Sequence, residues 1–202
     1  MNRLSLARFL LPLSFQIALI CAIPAQAIYT HFTGTNVILQ TVPVDPYDLL
    51  RGYSQTLRYE ISRVETIKTL SGWETVVRQT HQGNENLPPN GTTLYVILQA
   101  PQTDRSSTPP VPWRAIAVRH ERPVNLGDNQ VAIKGELTES GVNYGLERYY
   151  FPEQQRDDIN QTINRLQGTN NQERPFVVAV KVDEGGNAVP VSLWLGDENY
   201  EF

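Results

Sequence analysis

The sequence predicts a mainly β, antiparallel domain, barrel- or sandwich-like, with two or three short helices and a preceding N-terminal transmembrane helix. Short segments in which apolar and polar residues alternate are typical of half-buried strands. The 202 residues include 14 Pro and 13 Gly, which favours many turns between short elements. An uncharged run from Phe9 to Ile28 precedes all of these segments. Length and composition indicate one exported domain, residues 37–202, behind that run.

The uncharged run has two open interpretations. As a helix its 20 residues would span about 30 Å, enough to cross a bilayer core. Arg3 and Arg8 precede it, which predicts a cytoplasmic N-terminus at residues 1–8 and an exported remainder. Ala25-Gln26-Ala27 resembles a signal-peptidase site, so residues 9–28 are either a cleaved signal or a retained anchor. Residues 29–36 are interpreted as a link.

Each remaining element follows from its local pattern. Alternation or a short apolar run predicts strands at Val37–Val42, Gln55–Ile61, Thr93–Gln99, Trp113–Arg119, Val131–Leu137, Tyr144–Phe151, Phe176–Val182 and Val189–Leu195. The last two form a hairpin around Gly185-Gly186, and Pro190 marks an edge or a bulge in its second strand. Capping and spacing predict helices at 46–51, 72–80 and 152–166.

Charge and residue counts exclude several classes of function. Without Arg3 and Arg8, 15 basic residues remain against all 21 acidic ones, a net charge of −6. So acidic a domain is a poor nucleic-acid binder, because phosphate contacts need clustered Lys or Arg. The single cysteine, Cys21, forms no internal disulfide and no Cys-based zinc site. We therefore expect no cofactor, no metal and no nucleic-acid partner.

Two polar segments are candidates for a binding site. Each lies where a predicted strand meets irregular backbone, a position where function concentrates. The candidate cluster is Asp45, Asp48, Arg51, Tyr59, Glu147, Arg148, Tyr149 and Glu153. We predict that Arg51 or Asp48 lies within about 8 Å of Glu147, Arg148 or Glu153, and that Arg51 pairs with a carboxylate. The simpler interpretation of the first segment is a tight turn, with Asp45 as its cap and Asp48 paired to Arg51.

The two segments also carry a family resemblance. Gly52-Tyr53-Ser54-Gln55-Thr56-Leu57-Arg58-Tyr59 resembles the motif that names the bacterial GDYXXLXY family, and Tyr144-Gly145-Leu146-Glu147-Arg148-Tyr149 resembles its second motif. Gly52, Leu57 and Tyr59 match the first motif, whereas Tyr53 replaces its Asp and Ser54 its Tyr. The resemblance implies a membrane-anchored exported domain, often encoded beside a multi-pass membrane protein, which is the partner we expect. It implies no established activity.

These observations predict a membrane-anchored extracytoplasmic domain that binds a membrane partner or an envelope ligand without catalysis. The membrane contact is residues 9–28. The alternative is an envelope hydrolase in which Glu147 and Glu153 act as an acid/base pair. A Ser54–Lys134 dyad is a weaker option, because the family motif has Tyr where Ser54 stands. No catalytic residue is assigned.

Overall fold

The computed structural model describes residues 3–42, 54–80, 87–102, 107–150, 158–159, 161–162 and 176–201. Helix α1 occupies Arg3–Thr33 and contains Pro12 and Pro24. In the described part of the chain, no single helix is both long and apolar enough to cross a membrane; Arg8–Ala22 and Pro24–Thr33, bent by 44°, meet that test together. The bend precedes Pro24, whose ring displaces the preceding turn. The predicted link at 29–36 continues this helix and begins the first strand.

Ten strands follow in the described residues. They are β1 (Thr35–Gln40), β2 (Ser54–Thr56), β3 (Thr93–Gln99), β4 (Arg114–Arg119), β5 (Gln130–Thr138), β6 (Gly141–Asn143), β7 (Arg148–Tyr150), β8 (Val177–Val182), β9 (Ala188–Leu195) and β10 (Glu198–Glu201). One sheet has the order β1-β8-β9-β10 and another β4-β3-β5-β6, while β2 and β7 form a two-stranded ribbon. Neighbouring strands pair antiparallel throughout. The predicted mainly antiparallel β class is confirmed.

Both four-stranded sheets contribute to one core. Val37 and Leu39 of β1 and Val180 of β8 join it from one sheet, and Val96 and Ile133 join it from the other. Two short helices close its side: α2 (Val64–Lys68) and α3 (Trp73–Thr80). Each helix turns its apolar residues inward, namely Ile67, Trp73 and Val76.

The strand predicted at Gln55–Ile61 is wrong beyond Thr56. The predicted burial is correct, since Leu57, Tyr59 and Ile61 are buried and Arg58 is exposed. However, this segment crosses from one strand to another, so it cannot build a continuous ladder. The Leu57 N–H donates to the backbone carbonyl of Glu147, and the backbone carbonyl of Arg58 accepts the Val42 N–H. The chain then enters a 3₁₀ turn at Glu60–Ser62.

The strand predicted at Tyr144–Phe151 is also shorter than expected. A turn occupies the residues between β6 and β7, because Gly145 adopts φ +74°. Phe151 and the predicted helix at 46–51 lie outside the described residues. Of the helix predicted at 152–166, Asp158, Ile159, Gln161 and Thr162 are helical and the others lie outside.

The closing hairpin agrees with its prediction. β8 and β9 pair from Val177↔Trp194 to Val182↔Ala188, and the register shifts between Ala179 and Val180, where Pro190 faces Val180. Pro190 thus marks a bulge, as expected of a residue without an N–H donor. β9 is nevertheless an inner strand, because the unpredicted β10 covers its other side.

Candidate functional site

The two predicted motifs meet along the β2–β7 ribbon. Thr56 lies opposite Arg148 and Gln55 lies opposite Tyr149 in the antiparallel register. The Leu57 N–H extends the pairing by donating to the Glu147 carbonyl oxygen at 2.8 Å. Backbone hydrogen bonds, rather than a cluster of charged side chains, therefore join the described parts of the motifs.

Two buried tyrosines join the same region to the core. The Tyr59 hydroxyl donates to the Leu146 carbonyl at 2.9 Å, and the Tyr144 hydroxyl donates to the Ile61 carbonyl at 2.7 Å. Both rings are buried, with Tyr59 at 0% exposure. Burial raises the pKa of Tyr144 well above its usual value, and the nearby Glu147 carboxylate raises it further. The Tyr144 phenol therefore remains a neutral hydrogen-bond donor.

Glu147 closes the turn between β6 and β7. Its Oε1 accepts the Tyr144 backbone N–H at 2.7 Å, and the Asn143 side-chain oxygen accepts the Gly145 N–H at 2.8 Å. These two side chains satisfy backbone donors that a tight turn leaves unpaired. This contact gives Glu147 a structural role that the sequence did not predict.

The predicted cluster is only partly within the described structure. Asp45, Asp48, Arg51 and Glu153 lie outside the described residues, so their proximity to the second motif stays a prediction. Arg148 is exposed at the start of β7, whereas Tyr59 is a core residue. Among the described residues, no three His, Cys, Asp or Glu side chains are grouped as a metal site would require.

A family model described as GDYXXLXY protein matches residues 16–193. The chain belongs to the GDYXXLXY family. The match includes both motifs and most of the closing hairpin. No curated protein and no solved structure matches the chain.

The structure gives a physical meaning to the GDYXXLXY motif in this member. Leu57 and Tyr59, which match its later positions, are 1% and 0% exposed. Leu57 pairs with the backbone of the second motif and Tyr59 donates to it. These motif positions therefore fasten one chain segment to another, which is a folding role. Gly52 and Tyr53 lie outside the described residues.

A third polar group was not predicted as a site. Asp183, at the tip of the β8–β9 hairpin, is 6% exposed and accepts hydrogen bonds from helix α1. Gln26 Nε2 and Thr30 Oγ1 each donate to Asp183 Oδ2 at 2.7 Å. The Asn187 N–H donates to the other oxygen, Oδ1, at 2.9 Å. We call these four residues the helix–hairpin joint.

Hydrogen bonding keeps Asp183 ionised despite its burial. Burial alone would raise the pKa of this carboxyl group. Donors from Thr30 and Asn187, and the backbone N–H groups of Asn187 and Gly185, outweigh that effect and hold the pKa below its usual value. The sequence signal for the joint is the four-residue spacing of Gln26 and Thr30, which places both on one helix face.

The hairpin tip also contacts the second sheet. The Lys134 N–H donates to the Gly186 carbonyl at 2.8 Å. Gly186 has φ +86°, a backbone conformation that favours glycine, and a Cβ there would make a tight contact of 3.1 Å with the Ala132 oxygen. One five-residue turn therefore connects helix α1 to both sheets.

Two clefts open on the described surface. One, of about 420 Å³, adjoins the joint and includes Arg122, Val124 and Glu184. The other, of about 400 Å³, lies beside β1 and includes Trp113 and Arg114. Beside this cleft, the Trp113 backbone N–H donates to the Ile38 carbonyl at 2.8 Å.

Proposed function

We propose that this GDYXXLXY protein is a membrane-anchored, extracytoplasmic accessory domain that binds a membrane partner without catalysis. The observation that carries the proposal is the helix–hairpin joint. It connects helix α1, which is uncharged from Phe9 to Ile28, to the β domain through hydrogen bonds to a buried carboxylate.

The exposure of α1 supports an anchor. Large apolar side chains along the helix face outward, including Phe9, Leu11, Phe15, Ile20 and Phe32, which are 64–78% exposed. Such a surface is unfavourable in water and is covered when a helix lies in lipid. The polar Gln26 and Thr30 face the domain instead.

The joint also favours a retained helix over a cleaved signal. Cleavage after Ala27 would remove Gln26 and leave Asp183 with one donor fewer. The new N-terminus would lie within the last turns of α1 and weaken them. A segment that only directs export has no need of a buried contact with the mature domain.

The hydrolase alternative has less support. Glu147 Oε1 is engaged by the Tyr144 N–H, and a general acid or base needs a carboxyl oxygen directed at substrate. The exposed Arg148 at the motif ribbon is better suited to contacting a partner.

Membrane fractionation tests the anchor. We expect the full chain to remain in membranes after alkaline carbonate extraction and its N-terminal sequence to begin before Phe9. A mature protein that starts at Ile28 and is found in the soluble fraction would overturn the proposal.

A photo-crosslinker tests the partner. Placed at Arg148 in membranes, it should capture a multi-pass membrane protein, identified by mass spectrometry. The same crosslinker at Arg78, which is exposed on α3, is the matched control. Equal capture from both positions, or none from Arg148, would contradict binding through the motif ribbon.

A further inference from the structure

The helix–hairpin joint fixes the position of the hairpin tip along the axis of helix α1, which we call its height. Gln26 and Thr30 are one helical turn apart and both donate to Asp183. Gln26 lies seven residues before the helix end at Thr33, which corresponds to about 10 Å along the axis. The tip therefore reaches about 10 Å back along the helix, towards its N-terminus.

This height limits how much of α1 can lie in hydrocarbon. Asp183 and the exposed Glu184 carry charge, and charged groups are excluded from the bilayer core. The core must therefore end before Gln26, which leaves residues 9–25. Seventeen residues span about 26 Å as a helix, at the short end of the spanning range.

The segment after Gln26 then lies in the headgroup layer. Tyr29 and Phe32 are 55% and 78% exposed there, as in the aromatic belts that flank membrane spans. Val124 belongs to the cleft next to the joint and is 93% exposed. An apolar side chain so exposed is favourable where it meets the acyl boundary.

The cleft beside the joint lies at the same height, because Thr33 and Glu184 both line it. Its lining carries one cation, Arg122, and an exposed carboxylate, Glu184. Asp183 also lines it, but its oxygens are engaged within the joint. The cleft thus presents one positive and one available negative group, with Val124 and Leu126 as apolar neighbours.

We propose that this cleft binds the headgroup of a zwitterionic phospholipid with a primary amine, with Arg122 on the phosphate and Glu184 on the ammonium. The inference rests on the anchored function proposed above. Arginine matches phosphate geometry, and a carboxylate accepts hydrogen bonds from a primary ammonium. A trimethylated headgroup has no N–H to donate, so the cleft should distinguish ethanolamine from choline. The acidic domain disfavours purely anionic lipids.

Lipid retention by the full chain tests the proposal. The protein is reconstituted in vesicles with equal amounts of phosphatidylethanolamine and phosphatidylcholine, extracted in mild detergent, and its bound lipid counted by native mass spectrometry. We expect phosphatidylethanolamine to be retained roughly three- to tenfold in excess. Glu184→Gln should reduce that ratio to about one, whereas Arg122→Ala should reduce retention of both lipids.

Matched variants keep the test specific. Glu74→Gln and Arg78→Ala make the same changes at exposed positions of α3, outside the cleft, and should leave the ratio unchanged. An unchanged melting temperature shows that each variant is folded. Equal retention of the two lipids by the wild type, or a preference that survives both cleft variants, would overturn the proposal.

The same preparation separates this inference from the proposed function. If the chain is anchored but shows no headgroup preference, only the lipid site is wrong. If the mature chain begins at Ile28 and is soluble, both the anchor and the lipid site are wrong.

Discussion

Asp183 shows how one buried charge organises this protein at the scale of a residue. Its two oxygens accept donors from α1 and from its own turn. A buried carboxylate is unfavourable unless its lone pairs are satisfied, and here they are. Each donor removed should therefore cost more than an exposed hydrogen bond would.

Asp183→Asn should destabilise the domain by about 1.5–3 kcal/mol, because a charged acceptor is lost and an amide N–H₂ now faces other donors. The measurement is denaturant unfolding of the full chain in detergent. Asp197→Asn, at an exposed position in the β9–β10 turn, is the control and should change stability by less than about 0.5 kcal/mol. Equal effects of the two substitutions would contradict the structural role of the joint.

The lowered pKa of Asp183 predicts a pH dependence with a definite sign. A carboxyl whose pKa is lower in the folded state stabilises that state fully above its unfolded pKa, about 4. This contribution is lost as the pH falls through the lowered folded pKa. The stability difference between wild type and Asp183→Asn should be constant from about pH 7 to 5 and shrink below about pH 4. A difference that grows on acidification would contradict the assignment.

Tyr59 and Tyr144 each offer a test of one buried hydrogen bond. Replacement by Phe keeps the ring and removes the hydroxyl that reaches the Leu146 or Ile61 carbonyl. We expect each variant to lose about 1–2 kcal/mol of stability, since a buried acceptor loses its donor. Tyr95→Phe, on a half-buried tyrosine of β3, is the control. A loss no larger than that of the control would show that neither hydroxyl is structural.

At the scale of an element, two glycines are needed for different reasons: Gly141 for lack of space as well as backbone conformation, and Gly145 for backbone conformation alone. Gly141 begins β6 with φ +129°, and a Cβ there would overlap the Ser62 carbonyl oxygen. Gly145 has φ +74°, but a Cβ there would meet no atom within 4 Å. β6 thus depends on close approach to the 3₁₀ turn, whereas the turn after it depends only on conformation.

Gly145→Ala should therefore cost only about 1–2 kcal/mol, the strain of a left-handed residue. Gly141→Ala should cost more, roughly 2–4 kcal/mol, because backbone must also move. Thermal unfolding of both variants provides the comparison. If the two alanines are equally tolerated, β6 does not pack against Ser62 as the structure has it.

At the scale of the whole molecule, the distribution of charge predicts its orientation. In a Cys21→Ser background, a cysteine introduced by Asp197→Cys should react with a membrane-impermeant maleimide added to spheroplasts. One introduced by Ser5→Cys should react only after lysis, because Arg3 and Arg8 favour a cytoplasmic N-terminus. The reverse labelling pattern would contradict the predicted topology.

Most strands could be predicted because local alternation determines which side chains are buried. The strand at Thr93–Gln99 agrees at both ends, and the closing hairpin agrees in pairing and bulge. The segment from Leu57 to Ile61 has the predicted burial but not the predicted backbone. Alternating burial requires only that every second side chain faces the core. A segment that crosses from one strand to another can meet this requirement without forming a continuous ladder of backbone hydrogen bonds.

The sequence by itself determined the antiparallel β class, the family and the position of the apolar N-terminal helix. These depend on local pattern and composition, which neighbouring residues carry. Only the tertiary structure decided that Asp183 joins α1 to the hairpin and that Glu147 closes a turn. The first contact joins residues 153 apart in the chain, and no local pattern encodes the partner of a polar side chain. Burial selects such partners, because a desolvated charge is stable only where the fold brings donors to it.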